Sequence, residues 1–171
     1  MTQIGFKKPA NDVVQAFTRS PEQLKIGANA TAAKMLPGIF VVFDTNDYSV
    51  KECGAAGAAI GVLGYGECSA EYKPETQTTA YAVGDMVPVY NGPGRVYAYV
   101  TETIVKGEPL VLAADGKLSK AAAITIAASG SANITDGQGV AGTYGAAGPV
   151  VARAAESRTD AGRAWVTLVG V

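Results

Sequence analysis

The sequence predicts an all-β fold, a small β-barrel or β-sandwich built from hairpins, with an N-terminal extended arm over residues 1–37 and the β domain over residues 38–171. Three observations predict it. Residues 81–118 state one pattern twice: Gly84-Asp85 leads into Met86-Val87-Pro88-Val89-Tyr90, a turn at Asn91-Gly92-Pro93-Gly94 and Arg95-Val96, and Gly107-Glu108 leads into Pro109-Leu110-Val111-Leu112, a turn at Asp115-Gly116 and Lys117-Leu118. Asn or Asp before Gly supplies the positive φ of tight hairpin turns, and the flanking runs keep a strand's period of two. The composition, with 21 Gly among 171 residues and only 17% charged residues, suits a turn-rich β domain. A chain of this length buries a core without metal or disulfide.

In chain order, residues 1–37 are polar and punctuated by Pro9, Pro21 and Pro37, with isolated apolar side chains at Ile4, Phe6, Val13, Val14 and Phe17. Ser20-Pro21-Glu22-Gln23 has the order of a helix start, with Ser as cap and Pro at the first helical position, and Gly27 stops it within two turns. Either this segment packs on its own domain or it reaches a neighbour. Ile39-Phe40-Val41-Val42-Phe43 is a β-branched and aromatic run buried on both faces, ended by Asp44-Thr45-Asn46-Asp47. A weaker strand covers residues 48–52, and the glycines of residues 60–67 imply a bulged strand or close backbone packing. Residues 69–79 read as an exposed polar loop.

Pro88 cannot donate to a ladder, which places its strand at an edge or a bulge. Val96, Ala98 and Val100 alternate with Tyr97, Tyr99 and Thr101, giving one apolar face and one aromatic-polar face suited to contact. Residues 121–128 favour a strand, and residues 129–148 form a glycine-rich loop with short strand. Residues 149–156 and 163–169 close the sheet around a turn at residues 157–162. The last strand is apolar on both faces, with Ala164, Val166 and Leu168 on one and Trp165 and Val169 on the other, so its second face needs a cover. That strand and a slightly positive mean hydropathy predict a homo-oligomer. The interface residues expected from these patterns are Phe6, Phe17, Tyr97, Tyr99, Trp165 and Val169.

A formal net charge of −1 with interspersed signs gives no footprint for phosphate-backbone binding, so no nucleic-acid partner is expected. No run reaches the roughly 18 to 20 apolar residues of a membrane helix, and the first residues lack the apolar core of a signal peptide; no membrane partner is expected, and assembly is placed in the cytoplasm. With no His and two Cys fifteen positions apart, no metal site is expected. Cys53 and Cys68 are either buried free thiols or a bridge between neighbouring strands.

Residues 137–142 match G-x-G-x-x-G, but Gly145, Gly148 and Pro149 leave no room for the helix that a dinucleotide site opens, so no cofactor is expected. Asp85 and Glu108 occupy matching places in the two copies. As a carboxylate pair they would suggest acid-base chemistry; following Gly at strand starts, they read as acceptors that cap turns. Without His no Ser-His-Asp or Cys-His arrangement exists, and no enzyme is expected.

Leu36-Pro37-Gly38-Ile39-Phe40-Val41, Ile60-Gly61-Val62-Leu63-Gly64-Tyr65, Val83-Gly84-Asp85-Met86-Val87-Pro88-Val89, Lys106-Gly107-Glu108-Pro109-Leu110-Val111-Leu112 and the closing Val151-Ala152-Arg153-Ala154 and Trp165-Val166-Thr167-Leu168 make the chain resemble the small capsid-decoration, or cement, proteins of tailed viruses of bacteria and archaea. The resemblance covers residues 36–171. It implies a β-rich, often trimeric module on the outer face of an assembled head, with the major capsid protein as partner, that ties capsid subunits together. The rival readings are another virion structural component (tail, fibre-base or minor capsid protein) and a surface- or carbohydrate-binding β-module.

Overall fold

The computed structural model describes residues 21–55, 57–65, 75–121 and 149–169, together with the backbone of residues 14–15. Among these residues the strands are β1 (Val14–Gln15), β2 (Glu22–Ile26), β3 (Phe40–Phe43), β4 (Ser49–Glu52), β5 (Gly61–Leu63), β6 (Met86–Tyr90), β7 (Arg95–Val100), β8 (Pro109–Leu112), β9 (Leu118–Lys120), β10 (Val150–Ala154) and β11 (Gly162–Leu168), with single 3₁₀ turns at Ala32–Lys34 and Ala114–Gly116. The expected strands over residues 121–128 and the glycine-rich loop lie outside the described residues, apart from Ala121.

The all-β barrel is present twice. β2, β4, β3, β5 and β6 close into one barrel, and β7, β11, β10, β8 and β9 close into a second through the β7–β9 pairing. Both follow one topology. In each, the first strand pairs parallel with the third, the second forms a hairpin with the third and an antiparallel ladder with the fourth, and the fifth runs antiparallel between the fourth and the first. Closure removes the free edges that an open sheet of such short strands would present. β1 lies antiparallel on β7 at Arg95 and Val96, along the edge that β9 contacts only at Val100.

Residues 22–36, expected to be part of the extended arm, belong instead to the first barrel. Gln23-Leu24-Lys25-Ile26 alternates exposed and buried, the period of a strand, and Leu24, Ile26 and Met35 are core residues. The helix-start pattern at Ser20-Pro21-Glu22-Gln23 is overridden by pairing: β2 runs antiparallel to β6 and parallel to β4, ladders that a local cap cannot match in buried area.

The duplicated sequence pattern is a pair of turns rather than a pair of hairpins. β8 and β9 form a hairpin around Asp115 and Gly116, both at positive φ as a type I′ turn requires, with Lys117 N–H bonded to the Ala114 carbonyl. β6 and β7 do not pair; residues 91–94 carry the chain from one barrel to the other. What the copies share is their entry. Gly84 and Gly107 take φ near +97° and +92° at the third position of an i to i+3 turn, the type II pattern. Asp85 Oδ2 accepts from Ala82 N–H at 2.7 Å, and Glu108 Oε2 accepts from Val105 N–H at 2.6 Å. The turn-capping reading of these carboxylates holds.

Pro88 sits in a closed barrel, contrary to the edge or bulge it predicts. Its ladder position faces Gly64, whose N–H donates to the Pro88 carbonyl at 2.8 Å. The return bond that Pro88 cannot make is replaced from the side, as Tyr81 Oη donates to the Gly64 carbonyl at 2.8 Å.

The interior of the first barrel holds Leu24, Ile26, Met35, Ile39, Val41, Val50, Leu63, Tyr81, Val87 and Val89. Phe40, Val62 and Tyr90 sit on the same strands yet join the core of the second barrel with Val96, Ala98, Leu110 and Val166. Strands that read as apolar on both faces are therefore sandwiched between the two barrels of one chain.

Candidate functional site

The face singled out by sequence is the outer surface of β7 and β11. Alternation turns Val96, Ala98, Val100, Ala164, Val166 and Leu168 into the core, and register places the remaining side chains in cross-strand pairs: Arg95 opposite Thr167, Tyr97 opposite Trp165, Tyr99 opposite Arg163. The Tyr97 and Trp165 rings lie 5.3 Å apart at 39°. The Arg95 guanidinium lies 5.9 Å from the Trp165 ring centre, and that of Arg163 4.5 Å from the Tyr99 ring centre, both within cation–π range.

The structure thus brings Tyr97, Tyr99 and Trp165 together, but only part of this face is open. Arg163, 9% exposed, reaches the first barrel, where its Nη2 donates to the Pro37 carbonyl at 2.6 Å and to the Gln77 carbonyl, and its Nη1 to Gln77 Oε1 at 3.1 Å. Tyr99 packs against the core of that barrel. A second clasp lies at the β8–β9 turn: Gly116 N–H donates to the Cys53 carbonyl at 2.7 Å, and Lys34 Nζ meets Asp115 Oδ1 at 2.8 Å. A Cβ on Gly116 would stand 2.3 Å from the Phe40 carbonyl oxygen, so this docking needs glycine. Trp165 is 6% exposed and its backbone N–H donates to Glu156 Oε1 at 2.9 Å. Val169, just past the end of β11, is 57% exposed, and its backbone N–H donates to the Val151 carbonyl at 3.0 Å. Phe6 and Phe17 lie outside the described residues.

Two residues of this face, Arg95 and Thr167, were missed as contact candidates, as was Arg153 beside Thr167 on β10. The signal was present, since Arg95-Val96-Tyr97-Ala98-Tyr99 and Arg163-Ala164-Trp165-Val166-Thr167 both alternate core residues with cations, aromatics or hydroxyls.

Hydrogen bonds set the protonation of two carboxylates. The Asn29 side chain bonded to Asp44 at 2.9 Å holds that carboxyl below the usual aspartate value, with Lys51 adding to it, and the Lys34 ammonium does the same for Asp115. Cys53 is a buried free thiol whose ionisation burial pushes up; Cys68 lies outside the described residues. Among the described residues no three His, Cys, Asp or Glu gather where a metal could sit.

Two small barrels locked to each other by a buried arginine and a docked hairpin turn, with their shaped surfaces made of cross-strand pairs, define a structural protein that works by contact. A family model described as "Structural cement protein (E217 gp24/Pam3 gp6)" matches residues 13–156, and the chain belongs to this phage cement family. It is a structural protein of the virion that stabilises the capsid. A search of curated proteins found no match.

Proposed function

We propose that this chain sits on the outer surface of an assembled phage head, contacts the major capsid protein and ties neighbouring capsid subunits together as a homotrimer. The observation that carries this reading is the family match, which spans the whole first barrel and the second through β10. The architecture supports it. Two rigidly joined barrels present two separated surfaces, so one chain can span a seam between subunits, and a trimer multiplies the contacts. Multivalent engagement raises avidity by about 10² to 10⁴ without new contacts. A protein that binds only the mature lattice stabilises that state by mass action.

In this reading no catalysis takes part, assembly occurs in the host cytoplasm, and the residues ahead of β2 act in assembly, with Phe6 and Phe17 as anchors worth roughly 1.5 to 3 kcal/mol each when buried. The test is reconstitution: heads lacking this protein should burst at lower temperature than complete heads and regain their tolerance when purified protein is added back. Heads equally robust with and without it would refute the reading.

A further inference from the structure

Three guanidiniums lie on the outer face of the second barrel, and one of them, Arg163, is consumed by the contact with the first barrel. Arg95 is not. It stacks on Trp165, its Nε is buried without a hydrogen-bond partner, and it enters none of the ion pairs of the described residues, which are Lys34 with Asp115, Lys51 with Asp44, Lys120 with Glu108 and Arg158 with Asp160. Arg153 is exposed and also without a carboxylate, making one bond from Nη1 to the Gly107 carbonyl at 3.2 Å. Register puts them in one row: Arg95 pairs with Thr167, and Thr167 with Arg153. Directly opposite residues share a face, so two guanidiniums with Cα atoms about 10 Å apart flank an exposed hydroxyl. Among the described residues, Glu156 has its Oε1 taken by the backbone N–H of Trp165.

We propose that Arg95, Thr167 and Arg153 form a receiving strip for the carboxylates of an acidic, extended segment of the capsid subunit. This rests on the cement reading and names the chemistry of its contact. A guanidinium is a planar fork of donors that matches a carboxylate with two parallel bonds, and Arg95 already lies against the Trp165 ring, so less freedom is lost on binding. The Thr167 hydroxyl between them donates to the same oxygens. A nucleic acid fits the strip poorly. Two cations cannot track a phosphate backbone, and Trp165, almost fully buried, has no free face on which a base could stack.

The experiment measures binding of the full chain to heads of its own phage prepared without it. Arg95→Gln with Arg153→Gln should weaken binding at least tenfold and flatten its salt dependence. Thr167→Glu, which places a carboxylate between the arginines on an exposed site, should do the same with an unchanged melt, so a folding defect in the arginine variant does not decide the matter. Lys25→Gln with Lys106→Gln, two exposed cations elsewhere, should stay within twofold of wild type. In solution, hexaglutamate should change the fluorescence of Trp165, the chain's one tryptophan, in wild type and not in the arginine variant. Equal losses in the lysine control, losses under twofold in both strip variants, or a stronger fluorescence response to oligothymidylate than to hexaglutamate would each overturn the strip. Wild-type protein that does not bind heads at all would instead remove the cement reading on which it rests.

Discussion

The Tyr81 hydroxyl donates to the Gly64 carbonyl at 2.8 Å, directly across the ladder from Pro88, and so supplies the bond that proline removes from a closed barrel. Both groups are buried. Tyr81→Phe keeps the ring and deletes the donor, leaving the Gly64 carbonyl without its replacement, which costs about 1 to 3 kcal/mol. Urea unfolding should show that loss. A variant as stable as wild type would mean that the Gly64 carbonyl finds another donor and that Pro88 needs no compensation.

Arg163 is the second point where one side chain decides the architecture, since it joins the barrels through the Pro37 and Gln77 carbonyls and stacks on Tyr99. Arg163→Met keeps most of the volume and strands both carbonyls. The expected cost is about 3 kcal/mol, with the single unfolding transition separating into two as the barrels uncouple. A loss under about 0.5 kcal/mol with one sharp transition would show that the shared core alone holds the barrels together.

Much of this fold was legible in local patterns. Asp115-Gly116 announced its hairpin, Gly84-Asp85 and Gly107-Glu108 announced capped turns, and the alternation over residues 95–101 announced the two faces of β7. The remainder depends on pairing between distant segments, which local pattern does not encode. Strand, glycine turn and strand read alike whether the chain doubles back, as at residues 113–117, or crosses to another barrel, as at residues 91–94. β2 was hidden because Ser20-Pro21 imitates a helix cap while its alternation lasts only four residues. The need for a cover on the second face of β11 was legible too, but its source was not: over Arg163 and Tyr99 the cover comes from the first barrel of the same chain.

Acid should loosen the molecule at two identified places. Asp44, bonded by Asn29, and Asp115, bonded by Lys34, both have folded pKa values below the ordinary aspartate value of 3.8. A depressed carboxyl contributes stability that is fully present above that ordinary value and is lost as pH falls through the folded one. Melting temperature should therefore drop below about pH 4, and Asn29→Ala, which lifts Asp44 back toward its ordinary value, should melt lower at neutral pH with a shallower further drop in acid. Parallel pH profiles for the two proteins would contradict this assignment.

Deleting residues 1–12 leaves every strand described above intact, β1 included. The melt should stay within about 2 °C of wild type, while head binding falls at least tenfold, the equivalent of one lost anchor worth 1.4 kcal/mol or more. A truncated protein that binds heads normally would remove the assembly role of this segment.

The central claim, that this double barrel is a cement that bridges capsid subunits from outside, is tested most directly by an electron cryo-microscopy reconstruction of the parent phage head. The account predicts density for both barrels on the outer surface of the shell, three copies around an axis, with the row of Arg95, Thr167 and Arg153 against a capsid segment. Finding this chain in the tail, inside the shell, or absent from the head would contradict it.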